Sequence, residues 1–441
     1  MISRVILSTI ALIFSLLPCV MTFANDAFKK PVRLKADGKV IDTGATIGHS
    51  SPCIEDIDGD GLNDLIVGDF SGEFHIYKNI GQRNTPVYKS IGNIKADGED
   101  ASVNIYCCVG GQPRFVDLNG DGIRDFISSS YDPGHCYYFR GLPDHKFAKR
   151  EELIDKAGIP VRSNVQQKQN YESFGSFYTP VDWDADGDFD LLIGCFEGEL
   201  KLRLNEGDSK KPVFATDNQS VKAGNKPLKV DAHCCPVVAD WDKDGLWDIL
   251  AGSDNGSVVW FRNVGTKTDP QFGEGQLLVS KHTGTGKDLV CWSEDEIVPG
   301  IRAQIEVVDF NQDGKLDLIL GDFCTAYDFR KDLTKQEKQQ FEMLMTKSQS
   351  IVKSYSKKTE SLSVEFKKKY PGDEIYSDKA TAEWSKAYKT LRESSEAIQL
   401  EKHEIELTKQ MRLYLASTES KRNRSYDLAI PHGYVWLFIR K

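Results

Sequence analysis

The chain has 441 residues, of which 40% are hydrophobic and 28% charged, and its formal net charge is −10. This composition excludes a disordered or fibrous protein and allows one large domain or two ordinary ones with a substantial core. The sequence contains no basic patch that would indicate nucleic-acid binding.

The first 24 residues have the pattern of a secretory signal peptide. Arg4 is followed by an apolar run from Val5 to Leu17 and then by small residues up to Ala24. An apolar run of about 13 residues is shorter than the ~20 that a membrane span requires. We therefore expect cleavage after Ala24 and a secreted or periplasmic protein with no transmembrane span in the mature chain. A retained N-terminal anchor is the alternative.

Nine cysteines follow the predicted cleavage site. In an oxidising compartment some of them are expected to pair, and an odd number leaves at least one unpaired. The sequence leaves the connectivity open, and burial of unpaired thiols is the alternative. The nine are Cys53, Cys107, Cys108, Cys136, Cys195, Cys234, Cys235, Cys291 and Cys324.

A nine-residue pattern, D-x-[DN]-x-D-G-x-x-D, occurs five times, and its copies start 58 to 69 residues apart. Each copy lies between two short apolar segments, and a Gly-containing turn and a further alternating segment follow. Four short strands for each period are typical of one β-propeller blade. The copies begin at Asp56, Asp117, Asp182, Asp240 and Asp309.

These repeats resemble FG-GAP or VCBS repeats, the blades of integrin α-chain propellers and of secreted bacterial propellers. The resemblance covers residues 26–330 and the last ten residues. It implies an all-β fold, a β-propeller in which each Asp-rich loop joins the first two strands of a blade and binds calcium. Five loops make five blades the simplest count. Blades without loops in residues 145–178 and 273–304 would make six or seven.

The loops have the chemistry of a calcium site. Ca²⁺ takes six to eight oxygen ligands at roughly 2.3–2.6 Å, and Gly at position 6 permits a sharp turn. Position 12, where an EF-hand carries Glu, is never acidic here, so we expect Asp at position 9 to close each site. Asn119 and Asn311 replace Asp at position 3, which calcium accepts. The predicted ligands of about five Ca²⁺ ions are Asp56, Asp58, Asp60, Asp64, Asp117, Asn119, Asp121, Asp125, Asp182, Asp184, Asp186, Asp190, Asp240, Asp242, Asp244, Asp248, Asp309, Asn311, Asp313 and Asp317.

Residues 331–424 have a different composition, polar and almost free of Gly. Heptad spacing from Phe341 to Phe366, and again at Trp384, Leu391, Ile398 and Ile405, predicts an antiparallel helical (coiled-coil) hairpin. Residues 425–441 resemble a third blade strand, so the hairpin is expected to be an insertion in the last blade. The N-terminal FKKPVRL is expected to add that blade's outer strand. The hairpin is a candidate for binding a partner or a second copy, and a spacer is the alternative.

His49 and His233 occupy the same repeat position, seven residues before the first loop Asp. They are candidates for a shared ligand pocket, with a packing role as the alternative. Because GxSxG, HExxH and P-loop motifs are absent, the sequence offers no positive argument for catalysis. We expect an extracytoplasmic calcium-binding β-propeller that serves as a protein- or glycan-binding or assembly module. The alternative is a polysaccharide-acting enzyme, a lyase or hydrolase, which would need acids, His or Tyr, and Arg near the axis of the ring.

Overall fold

The structure, a computed structural model, describes residues 27–104, 111–163, 175–282, 290–291, 298–371, 374–375, 377–416 and 428–441. The predicted signal peptide lies outside these residues. The described part consists mostly of short β-strands, with three α-helices that follow one another near the C-terminus. This composition agrees with the predicted all-β class.

The strands before the third loop form the N-terminal half. They are β1 (Val32–Arg33), β2 (Lys35–Ala36), β3 (Lys39–Val40), β4 (Ser51–Glu55), β5 (Asp64–Gly68), β6 (Phe74–Asn79), β7 (Tyr88–Asn93), β8 (Lys95–Ala96), β9 (Glu99–Asp100), β10 (Arg114–Val116), β11 (Asp125–Ser129), β12 (Cys136–Phe139), β13 (Gly141–Leu142), β14 (Lys146–Phe147) and β15 (Glu151–Glu152). The remaining strands are β16 (Phe177–Val181), β17 (Asp190–Gly194), β18 (Leu200–Arg203), β19 (Gln219–Ser220), β20 (Lys222–Ala223), β21 (Lys226–Pro227), β22 (Cys235–Ala239), β23 (Asp248–Gly252), β24 (Val258–Phe261), β25 (Gln276–Val279), β26 (Val290–Cys291), β27 (Ile301–Val308), β28 (Asp317–Ala326), β29 (Ile430–His432) and β30 (Val435–Phe438).

Each Asp-rich loop joins the first two strands of one antiparallel sheet. The sheets are ordered β4-β5-β6-β7, β10-β11-β12-β15, β16-β17-β18-β19 and β22-β23-β24-β25, and in the fifth β27 pairs with β28. All residues of β5, β11, β17 and β23 are buried. These second strands are covered on both faces, which explains why their sequences are continuous apolar runs, such as Leu191-Leu192-Ile193, and do not alternate.

Neighbouring sheets approach closely where the second strand ends in glycine. A Cβ added to Gly194 would lie 1.8 Å from the carbonyl oxygen of Cys234, and one added to Gly252 would lie 2.2 Å from that of Ala303. The fifth sheet approaches the first in the same way, because a Cβ on Gly321 would lie 2.0 Å from the carbonyl oxygen of Ser50. The sheets therefore contact one another in chain order, and the fifth contacts the first.

Polar side chains fill the space between the first strands. The amide of Gln112 donates to the carbonyl oxygens of Pro52 (2.6 Å) and Ile305 (2.8 Å), which belong to the first and fifth sheets. Arg114 forms a buried ion pair with Glu306 at 2.6 Å and donates to the carbonyl oxygen of Pro236. These residues tie four of the five first strands together through one network.

The predicted hairpin region contains α1 (Lys335–Lys369), α2 (Asp378–Arg392) and α3 (Ser395–Arg412). Where one second helix was expected, there are two, because the side chain of Ser394 accepts the N–H of Ala397 and starts a new helix. The break shifts the heptad register. Ala397 is buried, whereas Ile398, predicted to lie on the seam, is 39% exposed.

The ends of the chain meet at the fifth sheet. Strand β30 pairs with β28 between Leu318 and Gly321, and β1 pairs with the other edge of β30 at Val32 and Arg33. An apolar cluster that includes Phe341 and Met411 packs the base of the helices against residues that follow β28. The domain boundaries given above remain predictions.

Six cysteines have described side chains, and all six are buried: Cys53, Cys136, Cys195, Cys234, Cys235 and Cys324. Burial raises the pKa of the Cys235 thiol to about 11 and that of Cys195 to about 12. These thiols are therefore protonated near neutral pH and unreactive. The side chains of Cys107, Cys108 and Cys291 lie outside the described part.

Candidate functional site

Four of the Asp-rich loops, the first, second, fourth and fifth, share one hydrogen-bond pattern, which the fourth loop illustrates. One carboxylate oxygen of Asp240 accepts the N–H of Gly245 at 3.0 Å, and Asp244 accepts the N–H of Leu246 at 3.0 Å. Gly245 has a φ of +88°, a conformation that glycine adopts without strain. The side chains at positions 1 and 5 thus turn inward over the loop backbone.

Asp at position 9 has a role that the sequence did not reveal. The two oxygens of Asp64 accept the N–H groups of Ile57 (3.3 Å) and Asn79 (2.6 Å), so this side chain fastens the loop to the third strand. The equivalent residues make the same pair of bonds in the other four sheets: Asp125, Asp190, Asp248 and Asp317. Burial raises the pKa of Asp64 to about 6 and that of Asp190 to about 7.

Three loops bring carboxylates into clusters whose oxygens lie within 4.8 Å of one another. The clusters are Asp56 with Asp58 and Asp64, Asp182 with Asp184 and Asp186, and Asp240 with Asp242 and Asp244. In the second and fifth loops, the amide oxygens of Asn119 and Asn311 accept the N–H groups of Asp121 and Asp313. The structure therefore brings acidic residues together in the first, third and fourth loops, and Asp60 shares Lys78 with Asp58 of the first cluster.

Several of these carboxylates have a buried oxygen without a hydrogen-bond donor. This holds for Oδ1 of Asp56, Asp182, Asp242 and Asp309. A buried charged oxygen without a partner is costly, and hard cations are the usual partner of converging carboxylates. The loop residues therefore fit a divalent cation. The third loop adds Asp188, whose Oδ1 is also buried and unpartnered and whose pKa is raised to about 6 by burial.

Basic side chains border two of the loops. Lys78 pairs with Asp58 and Asp60, and Arg262 pairs with Asp242 and Asp244. Because these pairs are exposed, they contribute little to stability. They show that the first and fourth clusters attract positive charge.

A second cluster lies at the opposite end of the strands. In an antiparallel pair, the residue before the first strand and the residue after the second lie side by side, remote from the connecting loop. Position −7, seven residues before the first loop Asp, is His49 in the first sheet, His233 in the fourth and Arg302 in the fifth. All three have left-handed backbones, with φ of 65°, 47° and 57°.

Position +14, just after the second strand, is aromatic in four sheets and acidic in the fourth. The residues are Phe70, Tyr131, Phe196, Asp254 and Phe323. Backbone bonds link this position to position −7 of the next sheet: Phe196 accepts from the N–H of His233 (2.9 Å), and Asp254 from that of Arg302 (2.8 Å). We call the residues at these two positions the axial cluster.

Asp254 connects the polar members of the axial cluster. Its Oδ1 lies 2.7 Å from Nδ1 of His233 and 3.3 Å from Nε of Arg302. The hydrogen bond from His233 and the positive charge of Arg302 lower the pKa of Asp254. Since an ionised carboxylate only accepts, Nδ1 of His233 carries its hydrogen. His233 is buried, and its Nε2 has no hydrogen-bond partner among the residues that the structure describes.

His49 lies between two aromatic rings, with centroids 4.9 Å from Phe70 and 4.2 Å from Phe323. Nη1 of Arg302 is 3.3 Å from its Nε2, so the same arginine contacts both His49 and Asp254. Burial, together with Arg302 and His233, holds the pKa of His49 well below its ordinary value. His49 is therefore neutral near pH 7.

That His49 and His233 share a pocket stays a prediction. Arg302 contacts His49 directly and is linked to His233 through Asp254. The sequence analysis missed Arg302 and Asp254. Arg302 could have been found from its spacing, because it precedes Asp309 as His233 precedes Asp240. Asp254 had a weaker signal, as the one acidic residue at a position that is aromatic in the other sheets.

Comparison with known proteins gives distant similarities. No family model matches the chain. Integrin alpha-PS2 of Drosophila melanogaster is 24% identical over 236 residues, which are 46% of this chain and 15% of that protein. Integrin alpha pat-2 of Caenorhabditis elegans is 24% identical over 247 residues, 47% of this chain and 19% of that protein. The chain is a distant relative of integrin alpha chains. The chain spans less than a fifth of the length of these integrin chains. The match agrees with the resemblance of the loops to FG-GAP repeats.

A crystal structure of BBS1N in complex with ARL6DN covers 67% of this chain and 82% of its own, with a TM-score of 0.32 and 13% identity. These values are too low to assign a fold. In the part of this chain that the structure describes, no helix is both long and apolar enough to cross a membrane.

Proposed function

We propose that the protein is an extracytoplasmic, calcium-stabilised β-propeller of five blades that acts as a binding module. The contacts between consecutive sheets, and between the fifth sheet and the first, support the ring. In this proposal, residues 25–330 and 425–441 form the propeller, and residues 331–424 form an arm inserted in its last blade. Residues 1–24 are the signal peptide.

The observation that carries the binding role is the axial cluster. Nine of its ten positions belong to the described residues; they come from all five sheets, lie at one end of the strands, and include charged and aromatic residues. Buried polar groups normally have partners, and each exception calls for an explanation. Within the described part of the chain, Nε2 of His233 is such an exception, and a ligand of this face would supply the partner.

The calcium loops serve a structural role in this proposal. Oxygens at positions 1, 3 and 5 would hold each ion, with a contribution from the second lone pairs of the Asp at position 9. The bound cation neutralises carboxylates that otherwise repel one another at the end of each sheet remote from the axial cluster. Five Ca²⁺ ions would offset the formal net charge of −10.

The helical arm is the proposed assembly element. Met343 and Leu413 are 58% and 68% exposed, and they lie on or next to helices that pack mainly against one another. Protein partners and a second copy are both compatible with such a surface. Analytical ultracentrifugation of the intact protein and of Met343→Lys would test self-association, with the exposed substitution Glu342→Lys as the control.

A binding screen tests the module as a whole. The intact protein, in buffer with calcium, is applied to a glycan array and used as bait against proteins of the extracytoplasmic fraction. Loss of capture on substitution of Arg302, with capture retained on substitution of Met343, assigns binding to the axial cluster. The opposite result assigns it to the arm. If neither surface captures any glycan or protein, the binding role is wrong.

A second candidate function is that of a polysaccharide-acting enzyme. It is favoured by the His233–Asp254 pair, because a His whose Nδ1 is bound to a carboxylate presents Nε2 as a base. Arg302 supplies the positive charge that the sequence analysis required near the axis. Size-exclusion chromatography of polysaccharides incubated with the protein tests this function, and unchanged chain length with every acidic polymer would exclude it.

A further inference from the structure

The axial cluster combines three recognition elements whose chemistry narrows the ligand class. They are an acceptor at Nε2 of His233, a cation at Arg302 and the aromatic rings around them. Each of the three elements makes a defined contact in the structure.

The acceptor follows from the tautomer of His233. Nδ1 donates to Asp254 at 2.7 Å, so the lone pair of the ring, in the tautomer that this bond selects, lies on Nε2. That nitrogen is buried and has no donor among the described residues. A hydroxyl group of a ligand is the simplest donor that would satisfy it.

The cation is Arg302, whose side chain is 30% exposed. Its Nε faces Asp254 and its Nη1 faces His49, while no hydrogen bond uses its Nη2 within the described residues. A guanidinium with a free edge binds carboxylates with planar geometry. The positive charge of Arg302 also repels a metal ion from His49 and His233, so the expected ligand is an anion and not a cation.

The aromatic element is formed on both sides of these polar groups. Phe196 is 37% exposed, its ring centroid is 4.5 Å from that of His233, and Tyr131 lies next to it at 6.3 Å. On the other side, Phe323 lies beneath Arg302, with 5.9 Å between the guanidinium carbon and the ring centroid. Such rings offer apolar faces to the C–H groups of a sugar.

We propose that the axial cluster binds a carboxylated sugar, a uronate unit of an acidic glycan. Arg302 binds the carboxylate, Nε2 of His233 accepts a ring hydroxyl, and Phe196 with Tyr131 contacts the sugar face. No simpler ligand uses all three elements, since an acidic peptide lacks the hydroxyl and a neutral sugar lacks the charge. This inference rests on the proposed binding role of the propeller.

Isothermal titration calorimetry in calcium buffer tests the inference with three probes of matched length. They are a galacturonate tetramer, its methyl ester, which is neutral, and a tetrapeptide of glutamate. We expect the free acid to bind at least about tenfold more tightly than either other probe, because a charge-assisted hydrogen bond is lost with the ester. Equal binding of the acid and the ester, or equal binding of the peptide, would overturn the proposal.

Two variants locate the contact. Arg302→Asn removes the cation, and His233→Asn keeps a donor near Asp254 but removes the acceptor; Asn tolerates the left-handed backbone at both positions. Each should weaken binding of the free acid at least about tenfold, whereas the exposed Arg83→Asn, beside the first loop, should leave it unchanged. Thermal midpoints equal to that of the unsubstituted protein establish that the variants fold.

The outcomes separate this inference from the proposed function. If the uronate tetramer does not bind but the axial cluster still captures a protein in the screen above, the ligand class is wrong and the binding role stands. If neither is observed, both are wrong. The ester comparison requires no substitution, so it decides the role of charge even if a variant fails to fold.

Discussion

The contact between neighbouring sheets at Gly194 gives a sharp test of the ring. The substitution Gly194→Ala places a methyl group where its carbon would lie 1.8 Å from the carbonyl oxygen of Cys234. Carbon–oxygen contacts are normally no shorter than about 3.3 Å, so the third and fourth sheets must separate locally by about 1.5 Å. The obstacle is a backbone carbonyl, which a rotamer change cannot move aside.

The expected loss of stability follows from this overlap. Inserting a methylene into a packed interior typically costs about 1–3 kcal/mol, and a clash with rigid backbone belongs at or above the upper end. At an unfolding entropy of about 2.1 cal/mol/K per residue, a loss of about 3 kcal/mol lowers the Tm of this 441-residue chain by roughly 3 °C. Differential scanning calorimetry in calcium buffer measures it directly.

Gly273→Ala is the matched control. The nearest atom to its added Cβ is 3.9 Å away, and its φ is not in the left-handed region. This substitution should change the stability by no more than about 0.5 kcal/mol, with a small gain possible in principle from the stiffer unfolded chain. If both variants melt at the temperature of the unsubstituted protein, the sheets do not pack as described and the ring interpretation fails.

Three further predictions concern the loops and the polar network between the first strands of the sheets. Removal of calcium with a chelator should lower Tm by several degrees, since a ligand present at 100 times its Kd contributes about 2.7 kcal/mol; an unchanged Tm would contradict the role of the loops. With calcium removed by the chelator, the pKa values of Asp64 and Asp190 are raised, so the folded state favours the protonated carboxyl groups. Their contribution to the free energy of unfolding is complete below the unfolded pKa and is lost as the pH rises through about 6 to 7. Tm measured with chelator should therefore fall between about pH 5 and pH 8, and a rise would refute this. Arg114→Ala leaves Glu306 as a buried charge without its partner and should cost about 3–5 kcal/mol in urea unfolding, whereas the exposed Arg83→Ala should cost almost nothing.

The repeated loops were predictable because they are local. The nine positions of each loop cover one turn and the ends of the two strands that it joins. The spacing of residues is enough to identify so short a segment. The same spacing also predicted a strand on each side of every loop. The structure has β4 and β5 on either side of the first loop, and β22 and β23 on either side of the fourth. The split of the second helix was less accessible, because Ser394 differs little from the other serines of the segment until its cap to Ala397 is seen.

The hydrogen bonds of Asp at position 9 could not be predicted from the sequence either. Asp64 binds Asn79, fifteen residues ahead, through a contact that depends on how the third strand returns beside the second. Composition cannot distinguish a carboxylate that binds a cation from one that accepts backbone N–H groups. With both oxygens in use, Asp64 can stabilise its sheet even before any ion is bound.

The axial cluster shows why repeat position matters more than residue type in such a fold. His233, Asp254 and Arg302 are spread over 70 residues, yet the turn of one sheet and the start of the next bring them into contact. The equivalent positions in other sheets carry Gly or aromatic residues, so the repeat itself does not specify their chemistry. A charged or titratable residue at a position that other sheets fill with Gly or an aromatic ring therefore indicates a role outside folding. In the proposed function, the loops therefore stabilise the sheets, and the departures from the repeat at the opposite end form the binding surface.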